Sequence, residues 1–190
     1  MTRTIAGMLI AGTMLAALLL GGCGGTDSLV TGPGMLFVTA TDNGADPAVA
    51  IFDLASALSG NSTPDRYLKS AHFHTLSYVG NHVAEADNDL YLVDSGNDAI
   101  WIFSPATSVD GNVAPGRKLQ GANVPIAGPI AIAVDTDRDV LYVVEPSQSK
   151  IFVWDNAATI DGYVTLVNKG FHFIVTCDIA IDQTNNRLYV

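Results

Sequence analysis

Basic residues are scarce: 9 Lys and Arg stand against 19 Asp and Glu in 190 residues, a formal net charge of −10 at pH 7. They are scattered from Arg3 to Arg187, so no basic stripe follows a phosphate backbone and nucleic acid is not an expected partner. Cysteine is nearly absent. The two present, Cys23 and Cys177, cannot make a disulfide framework. Charged residues are only 15% of the chain while hydrophobic residues are 48%, which is ample apolar surface to offset the entropy of ordering and excludes a disordered chain. Missing as well are GxSxG, HExxH, CxxCH and a Gly-rich phosphate loop. Their absence removes the commonest motif-bearing hydrolases, zinc proteases and cytochromes. DTDRD at 135–139 lacks the Gly and the closing Glu of a calcium loop and reads as a turn. Beyond the first 23 residues no stretch of ten or more shows a helical period.

What is present begins with an uncharged run from Ile5 to Leu20 behind Arg3, the layout of a signal peptide. The run stops at Gly21 and Gly22, slightly short of the about 20 apolar residues that span a bilayer. Leu20, Gly21, Gly22 and Cys23 resemble the bacterial lipobox. The resemblance implies cleavage ahead of Cys23, acylation of that residue and attachment to the membrane. Each buried acyl methylene contributes about 0.8 kcal/mol, so two or three chains hold where one would exchange. Gly24 stands where an Asp would favour inner-membrane retention in the enterobacterial pattern, which leans towards the outer membrane of a bacterial cell envelope. Residues 1–22 are therefore assigned to the signal and 23–34 to a flexible Gly-rich tether.

The remainder, 35–190, is organised by a repeat. Residues 48–70 align with 99–121 without a gap at an offset of 51: Phe52 falls on Phe103, Ala55 on Ala106, Gly60 on Gly111, Pro64 on Pro115 and Arg66 on Arg117. A further step of 51 brings Trp154, Ala157, Ile160 and Gly162 to the same places, while Leu166 and Asn168 replace the Pro and the Arg. Leu90 and Tyr91 match Leu141 and Tyr142, and Leu188 and Tyr189 follow 47 residues later. Units lie near 36–70, 79–121, 130–169 and 178–190. Each complete one parses into four short strands: A, IAIAVD; B, VLYVVE; C, KIFVW; D, GRKLQG. Val, Ile, Phe and Tyr fill them, and Asp, Asn, Gly and Ser fill the turns.

Four antiparallel strands recurring at about 50 residues predict an all-β chain, a β-propeller of four-stranded blades with about three blades present. The pattern IAVD, LYVVE, IFVWD, DGN, APGRKLQG over residues 36–190 resembles bacterial NHL-repeat and YVTN-type β-propeller lipoproteins. Propellers have roughly four to eight blades, and Val190 lies inside a B strand. The sequence is therefore expected to be an incomplete copy, the alternative being an arc completed by self-association.

In propellers the D-to-A and B-to-C loops gather on one face, where ligands usually sit. His74 and His172 fall in register on D-to-A loops. Converging neutral imidazoles would hold a transition metal, and the plainer reading is two loop histidines with local hydrogen bonds. Asp94 and Glu145 share the end of strand B. A carboxylate ring there would take Ca2+, as in lactonase-like propellers, and the plainer reading is that each opens a tight turn. Asn81, His82 and Asp178 are polar residues within A strands and line a wet channel or meet a ligand. Cys177 reads as a core residue. No catalytic residue is assigned and no cofactor is required. The expected function is a binding or scaffold module, tethered by its lipid, for a protein or glycan partner. The competing class is a calcium-dependent lactonase or a lyase, which needs ligands converging from three or more blades.

Overall fold

The computed structural model describes residues 34–42, 46–53, 62–73, 83–120, 126–162, 171–172 and 178–190. The first sheet joins β1 (Leu36–Asp42), β2 (Asp46–Phe52) and β3 (Arg66–Lys69). The second runs β4 (Val83–Ala86), β5 (Asp89–Asp94), β6 (Ala99–Phe103) and β8 (Arg117–Leu119), while the two-residue β7 (Gly111–Asn112) between the last two joins the first sheet beside β3 as its fourth strand. The third runs β9 (Ala131–Asp135), β10 (Val140–Glu145), β11 (Lys150–Asp155) and β12 (Phe171–His172). A two-stranded sheet of β13 (Ala180–Asp182) and β14 (Arg187–Tyr189) follows. Chain order is spatial order within the second and third sheets, and their four strands pair antiparallel. These are the A, B, C and D strands of the repeat. The described residues hold no α-helix, only a single 3-10 turn at Pro146–Gln148.

The turns recur because the same backbone conformation is needed each time. Asn88, Asp139 and Asn186, which close the A-to-B turns, have φ of 66°, 54° and 54°. Asn and Asp tolerate that left-handed region better than other residues with a Cβ. In the second and third copies the side chain also binds across the sheet: Asn88 Oδ1 accepts from Thr107 N at 2.9 Å and Asp139 Oδ1 from Ala158 N at 2.7 Å.

Strand side chains alternate between two cores, which is why the strands read as continuous apolar runs. From β5 and β6, Leu90, Leu92, Trp101 and Phe103 pack with Phe37, Val49, Ile51 and Leu68 of the first sheet. Their neighbours Tyr91, Val93, Ile100 and Ile102 pack instead with Ile132, Val134, Leu141, Val143, Phe152 and Trp154 of the third. The opposite face of the third sheet, Ala131, Ala133, Val144, Ile151 and Val153, meets Ile179, Ile181 and Leu188. Each fully buried Val, Leu, Ile or Phe among them stabilises the stack by about 1.5–3 kcal/mol. The A strands lie next to one another, β4 beside β9 and β9 beside β13, as a fan of sheets converging on one edge requires.

Three features depart from the sequence-based expectation. The D strand of the third unit lies at Phe171–His172, beyond the expected limit near 169. Arg117 pins β8 to the next unit, and its counterpart by sequence is Asn168, which carries no guanidinium. His172 is consequently paired with Lys150 inside a strand rather than placed in a D-to-A loop. Third, the glycine that recurs at this position in the second and third units reaches back to the preceding one: β7 pairs in parallel with β3, Leu68 opposite Gly111, and Leu119 forms the equivalent parallel bridge to Gly162.

Candidate functional site

Asp94 and Glu145 end β5 and β10 and are 0% exposed. Both carboxylates are engaged by their own turns. Asp94 accepts from Asn97 N (3.2 Å) and Nδ2 (2.8 Å) and from Trp101 Nε1 (3.0 Å). Glu145 Oε1 accepts from Ser147 N (3.1 Å) and Oγ (2.6 Å), and Oε2 from Ala127 N (2.6 Å). Charge-assisted bonds of this kind offset the cost of burying a carboxylate. The geometry is that of a turn opener, with the added feature that the turn grips the neighbouring connection.

That grip recurs along the described part of this face. Asn97 Nδ2 donates to the His72 carbonyl at 2.9 Å, Gln120 Nε2 donates to the Asn97 carbonyl at 3.1 Å, and Gly128 N donates to Asp98 Oδ1 at 2.7 Å. The B-to-C turns therefore hold the described ends of the D-to-A connections in place. His72 is exposed and rests against Trp101, with ring centroids 5.4 Å apart.

Of the other sequence candidates, Cys23, His74, Asn81 and His82 lie outside the described residues. Asp178 is partly buried just ahead of β13 rather than in it, and its Oδ1 accepts from Ile179 N at 2.7 Å. His172 belongs to the outermost strand of the third sheet. Among the described residues no three His, Cys, Asp or Glu side chains are grouped to hold a metal ion.

The opposite face, made of A-to-B turns and C-to-D connections, carries an arrangement whose partners the sequence did not show. Arg117 donates to the carbonyls of Ala157 (3.2 Å) and Ile160 (3.1 Å) in the next unit and pairs with Asp89 of its own sheet. Arg66 repeats the reach, donating to the Val109 carbonyl at 2.5 Å and pairing with Asp53. The hydrogen bond from Arg66 holds the Asp53 carboxyl below the usual carboxylate value. Tyr91 Oη also donates to the Ala157 carbonyl, at 3.0 Å, and burial pushes its phenol above the ordinary value. The signal for this staple was the Arg repeated at 51 residues. Its acid partner gave none, because the partner comes from strand C's end in one copy and from strand B's start in the next.

A radial set of small antiparallel sheets sharing flanking cores defines a β-propeller-like all-β protein. No protein-family model matches the chain, and no curated protein matches it in sequence. Among solved structures it is similar to the glutaminyl cyclase of Myxococcus xanthus, with a TM-score of 0.50 and 12% sequence identity over 84% of this chain and 64% of that one. The chain thus spans less than two-thirds of that enzyme's length, and at this identity the likeness concerns the fold alone.

Proposed function

We propose that this chain is a lipid-anchored protein of the bacterial envelope, with NHL/YVTN-type propeller blades that present a binding surface for a protein or glycan partner. The observation that carries this reading is a division of labour within the repeat. Residues that recur at 51 serve the scaffold: the alternating cores, the left-handed turns and the arginine staples. The buried carboxylates Asp94 and Glu145 are likewise engaged in holding turns and neighbouring chain in place. Variation is concentrated in the D-to-A connections, SAHFHTLSYVGNH, QGANVPIAGPI and FIVTCDI, which start from one face of the stack. Rigid turns holding variable loops suit recognition by surface contacts.

Two experiments test it. Expressed in a bacterial host with labelled palmitate, the full chain incorporates label and fractionates with membranes, and Cys23→Ser abolishes both; label without Cys23 overturns the anchor. A photo-crosslinker at His72 captures a saturable envelope partner that the same group at Asp137, an exposed residue of the opposite face, does not capture. Equal capture from both faces, or lactone hydrolysis that calcium restores after chelation, overturns the binding reading.

A further inference from the structure

The repeat contains the same dipeptide twice at one position, Asp110-Gly111 and Asp161-Gly162, and the two are held differently. Both glycines adopt φ of 70° and both pair in parallel with the preceding unit. Asp161 gives its carboxylate to the preceding unit, Oδ1 accepting from Lys118 N at 2.9 Å, and Gly162 N donates to the Lys118 carbonyl at 2.6 Å. Asp110 folds its carboxyl onto its own successor: Oδ1 lies 2.8 Å from Gly111 N. Both Asp110 and Gly111 are exposed, and a Cβ built on Gly111 would meet nothing within 4 Å. The carboxyl carbon is therefore beside the one backbone nitrogen able to close a five-membered ring on it, with no side chain in the way and water at hand.

We propose that Asp110 is a site of spontaneous isomerisation, its twin Asp161 being protected by the bond to Lys118. In the step, the Gly111 nitrogen forms a bond to Asp110 Cγ. The nitrogen's proton and the carboxyl's hydroxyl leave together as water, giving a succinimide. Water then opens either ring carbonyl and restores aspartate or yields isoaspartate. No oxidant or cofactor enters. Isoaspartate adds one backbone atom immediately ahead of β7, so the parallel pairing of Gly111 and Asn112 with Leu68 and Lys69, including the 3.0 Å bond from Val113 N to the Lys69 carbonyl, loses its register. The product is a chain whose first and second sheets are less firmly joined.

The test incubates the folded full chain at 37 °C and mildly acidic pH, then maps isoaspartate by peptide mass spectrometry with electron-transfer fragmentation. Expected is isoaspartate at position 110 in excess over 161 by about tenfold, the ratio that a bond of about 1.4 kcal/mol to a charged group supplies. Repeating the incubation in concentrated urea removes the protection, and the ratio falls towards one. Asp110→Glu, which cannot close the five-membered ring, abolishes the signal at 110 in both conditions. Equal yields at the two sites in the folded chain, a larger yield at 161, or no product at 110 while the unfolded chain reacts, each overturns the proposal.

Discussion

At the residue scale, the inter-unit staple shows how much one side chain can do. The Arg117 guanidinium satisfies two carbonyls of the next unit and the Asp89 carboxylate, with side chains of both partners at most a fifth exposed. Arg117→Ala leaves Asp89 without its counter-charge, and the expected loss is about 2–4 kcal/mol. Arg117→Lys keeps the charge but not the fork and loses about half as much. Urea denaturation checks both, through a lowered midpoint at unchanged slope. Tyr91 gives a pH-dependent counterpart. Burial raises its phenol above the ordinary value of 10.0, so its neutral form is favoured by folding. That stability is whole below the unfolded value and is lost as pH rises through the folded one. The denaturation midpoint should fall above about pH 10. Tyr91→Phe flattens part of the fall, and the rest follows Tyr142, whose phenol burial also raises. At pH 7 the substitution costs about 0.5–1.5 kcal/mol for the lost bond. A mutant whose alkaline profile overlays the wild type contradicts the assignment.

At the scale of elements, legibility in the sequence followed physical redundancy. The B and C strands of the second and third units were readable because both faces are buried, so nearly every position had to be apolar, and the turns were readable because few residues accept a positive φ. The third D strand was not. It has two residues and no arginine anchor, so neither pattern nor partner fixed where it pairs. Asp94 and Glu145 were readable as turn openers, whereas the connection each turn holds, such as Ala127 on Glu145, is long-range and left no mark. The left-handed turn yields a direct expectation for Asp139. Asp139→Ala loses the 2.7 Å bond to Ala158 N and places a Cβ residue without side-chain help at φ 54°, for a combined cost of about 2–3 kcal/mol. Asp139→Gly relieves the backbone but not the lost bond and costs about half that. Asp139→Asn keeps both within about 0.5 kcal/mol. Denaturation midpoints rank the three, and faster hydrogen exchange at the Ala158 amide in the first two locates the effect.

At the scale of the whole molecule, the described sheets form a linear stack in which each touches its neighbours through a separate core. Leu92 belongs to the core between the first and second sheets, Ile102 and Leu141 to the core between the second and third. Stability in such an array is a sum of unit terms and nearest-neighbour interface terms. A substitution therefore acts on its own interface, even when its strand serves two. Leu92→Ala and Leu141→Ala each should cost about 2–5 kcal/mol. Because they open cavities in different interfaces, the double mutant should be additive within about 0.5 kcal/mol. Ile102→Ala combined with Leu141→Ala excavates a single interface, and the two should couple by about 0.5–3 kcal/mol as the shared cavity relaxes. The comparison is made by urea denaturation in an osmolyte background that keeps every variant folded at zero urea. Additivity for the second pair together with coupling for the first would mean that the sheets pack through one continuous core, and the radial stack inferred from the alternating strand faces would be wrong.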